Sequence, residues 1–121
     1  MPELSTVYSL LRTLYVNETN GESKEMASKW LESLQHSIYG WRIADQLLIN
    51  KADIASCYFA AQTLRTKIQN NFQELPENSY SSLKDSIINH LKSINESVVQ
   101  TQLCLAVTYL GSTPFPIKTI K

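Results

Sequence analysis

The stretch from residue 53 to 74 constrains the fold of this chain more than any other. Ile54, Cys57, Tyr58, Ala61, Leu64, Ile68 and Phe72 recur every three or four residues. Placed about 100° apart, they fall within an arc of about 120°. Only a helix brings such residues to one side. Asp53 is suited to cap its start, and Pro76 and Asn78 stop it. Phe59 falls off the stripe, so a second neighbour is expected on that side.

The same period recurs along the chain. A first helix is expected over 3–16, on Leu4, Val7, Leu11, Leu14 and Tyr15. The polar cluster 17–22 breaks it. A second, over 23–36, carries Ala27, Trp30, Leu31 and Leu34, with Ile38 prolonging the stripe and Ser23 as N-cap. Gly40 weakens the next stretch, leaving a short third piece with Trp41, Ala44, Leu47 and Leu48. Residues 50–53 then separate it from the 53–74 helix. A fifth helix, over 79–94, has Leu83, Ile87, Ile88, Leu91 and Ile94. The sixth, over 96–110, is apolar nearly all round, so it is expected to be sandwiched between neighbours. Gly111 suits the position just past its end. Residues 111–121 hold two prolines and no period, and read as an irregular tail after a helical region spanning 1–110.

Composition agrees with one all-α domain. The chain has 121 residues, with only three Gly and four Pro to punctuate it, too few for a sandwich or barrel. Lys plus Arg and Asp plus Glu both number 11, so the net charge is zero and no positive field exists to hold nucleic acid. No apolar run is long enough to span a membrane, and the N-terminus lacks the basic stretch of a secretory signal. Cys57 and Cys104 both sit in apolar helical patterns and are expected to be buried, reduced thiols.

Signals for chemistry are poor. His36 and His90 lie in different helices without metal-ligand spacing. There is no Gly-rich phosphate loop, and no His stands near Cys57 in the sequence. The sequence therefore predicts no enzyme, with no catalytic residue, cofactor or metal. The aromatic residues Trp30, Trp41, Tyr58, Phe59 and Phe72 read as core rather than as a ligand box, the two tryptophans bracing one helix pair against the next.

Helix pairs repeat at an offset of about 50 residues, from Leu31 to Leu83 and from Leu11 to Leu64. That is the mark of an α-solenoid of HEAT or armadillo type, although a bundle of five or six helices has the same pattern.

Two stretches carry more than period. Lys29-Trp30-Leu31-Glu32-Ser33-Leu34-Gln35-His36-Ser37, followed by Trp41, resembles the first repeat of the importin-beta N-terminal domain. Ser56-Cys57-Tyr58-Phe59-Ala60-Ala61-Gln62-Thr63-Leu64-Arg65-Thr66-Lys67-Ile68-Gln69 resembles the outer (A) helix of its second repeat. Asp45-Gln46-Leu47-Leu48, Glu74-Leu75-Pro76 and Ser82-Leu83-Lys84-Asp85-Ser86 add to the likeness, which is nearest the transportin-SR branch, importers of Arg-Ser-rich proteins. The resemblance implies about two and a half HEAT repeats. It also implies a nuclear transport receptor that moves between nucleus and cytoplasm, with Ran-GTP and protein cargo as partners and neither nucleic acid nor membrane among them. Cargo is expected to engage later repeats than these. Residues 23–36 and 79–94 would be inner (B) helices lying side by side.

The exposed faces of those two helices, on the concave side that the resemblance implies, are the candidate partner surface. Glu25, Lys29, Glu32 and His36 fall opposite the Trp30 stripe, and Ser82, Asp85, Asn89 and Lys92 opposite the Leu83 stripe. A mixed-charge ridge suits the mixed-charge switch surface of a small GTPase. The plainer reading of each residue is a solvated helix face. A rival for the whole chain is a structural fragment whose last helix, open at Leu103, Val107 and Leu110, drives self-association.

Overall fold

A computed structural model describes residues 3–15 and 21–112. Six helices run in order: α1 (Leu4–Tyr15), α2 (Gly21–His36), α3 (Tyr39–Asn50), α4 (Ile54–Asn70), α5 (Tyr80–Ser93) and α6 (Ser97–Ser112). Two single-turn 3-10 helices, Phe72–Glu74 and Glu77–Ser79, carry the chain from α4 to α5. There is no strand among the described residues. The architecture is the expected all-α stack of the HEAT type.

Local signals explain most boundaries. Asp53 is extended (φ −160°, ψ 170°), and its carboxylate accepts the Ser56 backbone N–H at 2.7 Å, capping α4. Lys51 closes α3 in the left-handed region (φ 48°, ψ 44°), donating its N–H to Leu47 O. The α4 helix ends at Asn70, short of the expected 74. The chain then tightens into a 3-10 turn before Pro76, which cannot continue a helix.

Three expectations are corrected here. Helix α2 starts at Gly21, so Ser23 lies inside its first turn rather than capping it. Helix α6 continues through Gly111 to Ser112, and the remainder of the expected tail, residues 113–121, lies outside the described residues. The third piece is not short. It is a full 12-residue helix, and Gly40 sits buried within it. A Cβ on Gly40 would come to 2.9 Å from Leu34 O and 3.1 Å from Lys67 Cδ. Glycine fits there because the start of α3 folds back against the backbone of the last turn of α2, with the Lys67 side chain of α4 beside it.

Helix α4 is the centre of the molecule. It packs most extensively against α6 on one side and α3 on the other, with α1 and α2 adding smaller contacts. Hence Phe59, Ala60, Ala61, Leu64 and Ile68 are all buried, along with the polar Ser56, Thr63 and Lys67. Phe59 does have its second neighbour, as its off-stripe position requires. Ile54, at the mouth of the helix, is 55% exposed.

The sandwiched helix is thus α4 and not α6. Leu103, Ala106 and Leu110 of α6 are buried, but Val98, Leu105, Tyr109 and Cys104 are exposed. Its open face is therefore not the Leu103–Leu110 side that the sequence suggested, since that side is the one packed on α4. Cys57 is buried as expected, whereas Cys104 is corrected to the surface.

Pairing also differs in detail. Helices α1 and α2 pack on each other as expected, but α5 rests chiefly on α6 rather than α4. The helix that α5 meets across the stack is α3.

Candidate protein interface

The interior contains a polar clasp that periodicity did not reveal. Lys67 is fully buried. Its Nζ donates to Ser37 O at 2.8 Å and Gln35 O at 3.3 Å. It also pairs with Glu74 Oε1 at 2.9 Å and lies 5.3 Å from the centre of the Trp41 ring. Trp41 Nε1 donates to the same Glu74 oxygen at 2.9 Å. One cation therefore ties the end of α2, the start of α3, α4 and the first 3-10 turn. Positive charge suits that spot, because the last carbonyls of α2 have no helical partner. Burial opposes ionisation of Glu74, yet the hydrogen bonds from Lys67 and Trp41 and the lysine's charge outweigh it. Its carboxyl is held below its ordinary range.

A second polar contact stitches α3 to α5. Asp45 Oδ1 accepts from Ser86 Oγ at 3.0 Å and meets His90 Nε2 at 2.9 Å. His90 is buried, and the Asp45 side chain is about half exposed. Below this junction Phe72 and Tyr80 stack with ring centres 4.3 Å apart, steering the chain into α5.

All eight sequence-chosen residues are exposed. Glu25, Lys29, Glu32 and His36 line the outside of α2, and Ser82, Asp85, Asn89 and Lys92 that of α5. Glu25 and Lys29 form an i,i+4 ion pair at 3.2 Å, both mostly in water, so it adds little to stability. The two rows are not brought into contact. Helices α2 and α5 do not pack extensively on each other, contrary to the side-by-side expectation. Helix α3 links them, through its elbow with α2 and through Asp45 to α5.

Sequence reasoning also placed Trp30 and Ile38 in the core. They are 38% and 60% exposed, and Trp30 lines an open apolar recess with Leu34 and Tyr39 at the α2–α3 elbow. The reason is the break after His36. It turns the chain, so the stripe of α2 does not continue onto Ile38 as an unbroken helix would carry it. Of the two tryptophans only Trp41 braces neighbouring elements.

Among the described residues no three His, Cys, Asp or Glu side chains gather as a metal site would need. No described helix is long and apolar enough to cross a membrane. The Cys57 thiol is pushed above its ordinary range by burial and by the nearby carboxylates of Asp53 and Glu96, the opposite of what an activated nucleophile requires. A stack of packed helices with polar outer rows defines the class of helical-repeat scaffolds.

Residues 27–93 match the importin-beta N-terminal domain family. This chain belongs to that family. It is 31% identical over 114 residues to Transportin MOS14 of Arabidopsis thaliana, covering 92% of this chain and 12% of the relative. It is 30% identical over 115 residues to Importin-13 of Homo sapiens, with 93% and 12% covered. It is 33% identical over 109 residues to Importin-13 homolog A of Dictyostelium discoideum, with 87% and 10% covered. The chain thus spans about a tenth to an eighth of the length of these curated relatives.

Proposed function

We propose that this chain is the Ran-binding end of a nuclear import receptor. It meets the GTP-loaded GTPase with the outer rows of α2 and α5, and it works in nucleus and cytoplasm. The observation that carries this reading is family membership over residues 27–93 together with two exposed mixed-charge rows on a packed interior. The mechanism is binding by shape and charge. Lys67 and Glu74 hold the α2–α3 elbow, and Asp45 ties α3 to α5, so both rows are fixed before a partner arrives. Preformed surfaces lose less entropy on association. Alternating charges such as Glu25 and Lys29 favour one partner orientation and speed encounter at low salt.

Cargo, Arg-Ser-rich proteins in the transportin-SR branch that the motifs resemble, belongs in this reading to repeats beyond the present residues. Affinity for Ran alone is therefore lower than that of a receptor gripping at several places, since each linked contact raises the effective concentration of the next. The test is retention of the chain on immobilised Ran loaded with GTP or with GDP. Retention on the GTP form only supports the reading. Equal retention on both forms, or none on either, contradicts it.

A further inference from the structure

We infer that a recess between α2 and α4 seats an arginine side chain of a protein partner. The recess has a volume of about 150 Å³, room for a side chain but not for a cofactor. Its inner wall includes Leu31 and Phe59, both nearly inaccessible, with Leu14 of α1 at one end. Its polar lining consists of Ser28, Glu32, Gln35 and Gln62.

The lining matches an arginine in two respects. An arginine has an aliphatic stem and a charged head, and it buries the stem along apolar surface while the head finds acceptors. Here the apolar floor lies under a carboxylate, two carboxamides and a hydroxyl. The guanidinium carries five donors in a plane and no acceptor, so several acceptors around one opening suit it better than a point charge. Glu32 makes no ion pair with any described residue, although Lys29 stands one turn away and is engaged by Glu25.

The recess is also held open. Gln35 donates Nε2 to Thr63 Oγ1 at 2.9 Å, and Thr63 donates in turn to Phe59 O at 2.7 Å. That leaves the Gln35 Oε1 as the acceptor on offer. The Gln35 backbone carbonyl is fixed as well, by Lys67. A side chain arriving here finds its acceptors already placed, which lowers the cost of binding.

The inference rests on reading the outer face of α2 as a partner surface, and its test is arranged to separate the two. The probe is the blocked tripeptide acetyl-Ala-Arg-Ala-amide, titrated at low salt into the nitrogen-15-labelled chain. The control peptide carries citrulline, which keeps the shape and loses the charge. The readout is the side-chain amide signals of Gln35 and Gln62. The expected result is a saturating shift of both with the arginine peptide, half-complete on the order of 10 mM. Little shift is expected with citrulline, and Glu32→Gln weakens the arginine response about tenfold, the worth of one charge-assisted hydrogen bond. Circular dichroism of the variant checks that the helices persist. Absent shifts, or equal shifts with citrulline or in the variant, overturn the recess. A parallel measurement of GTP-loaded Ran on the unaltered chain decides the Ran reading separately. A seated peptide with no Ran binding leaves the recess standing and removes that partner.

Discussion

Replacing Glu74 by alanine tests whether the clasp at the α2–α3 elbow organises the fold. The change leaves Lys67 buried with two backbone carbonyls and no counter-ion, and it takes from Trp41 Nε1 its acceptor. At 2.9 Å and an effective dielectric near 20, the gross attraction in the pair is about 6 kcal/mol. Much of that is offset. The Glu74 side chain is 24% exposed, so water replaces part of what is removed, and Ser37 O still holds the lysine at 2.8 Å. Breaking a buried pair from one side usually costs about 3–5 kcal/mol, and the partial exposure puts this case near 3 kcal/mol. That is a large share of the roughly 6–18 kcal/mol a chain of this length has in all. Lys67→Met removes the buried charge itself and strands only the partly exposed Glu74, so it is the milder change. In the double variant no charge is stranded, so the two effects overlap by about 1–3 kcal/mol. The assay is urea unfolding followed by far-UV circular dichroism and by tryptophan fluorescence, with coincident transitions as the two-state check. A Glu74→Ala cost below about 0.5 kcal/mol, or additivity of the two changes within about 0.5 kcal/mol, refutes the reasoning.

Other consequences follow from the same region of the fold. Gly40→Ala places a Cβ 2.9 Å from a backbone oxygen that cannot rotate away, so a loss of about 1–3 kcal/mol is expected in the same assay, despite alanine's better helix propensity. Because Glu74 ionises below its ordinary value of 4.5, the stability it confers is complete above that pH and is lost as pH falls through its folded-state value. Glu74→Gln should therefore flatten the acid limb of the stability curve, and an unchanged limb would contradict the assignment. Cys104 should react with iodoacetamide at neutral pH while Cys57 stays protected until unfolding, which mass spectrometry of the labelled peptides checks.

Much of the helical order was legible because apolar spacing reports a helix directly. Asp53 as a cap was legible for the same local reason, whereas α4 ends at Asn70, before the Pro76 that was expected to stop it. What stayed hidden depends on the neighbours a helix has. Lys67 and Thr63 look like the polar side of α4, yet both are buried, because α4 is covered on opposite sides and their polar atoms are satisfied there. Conversely, Val98, Leu105 and Tyr109 look like core and are open, because no described element covers that side of α6. Gly40 reads as a breaker, but its role is close approach, which only the packed elbow shows.

The motif stretches behind the family resemblance have a physical meaning that spacing could not disclose. Gln35, Trp41, Asp45, Lys67, Glu74 and Ser86 come from separate stretches and meet in the clasp and the α3–α5 stitch. The recognisable stretches thus include residues that hold the helices in place. Lys29, Glu32, His36, Ser82 and Asp85 of the outer rows lie in the same stretches, but they are exposed on the helix surface, and helical angle alone set them apart. Glu32 and Gln35 stand at the border of the two groups, one facing solvent and one tied inward.

The account turns on the outer rows of α2 and α5 being where a nucleotide-switched partner lands. Hydrogen exchange of the chain with and without GTP-loaded Ran measures this directly. Protection concentrated in residues 23–36 and 79–93, and absent with GDP-loaded Ran, is the predicted result. Protection centred on the exposed side of α6 around Cys104, or equal protection with both nucleotide forms, would contradict it.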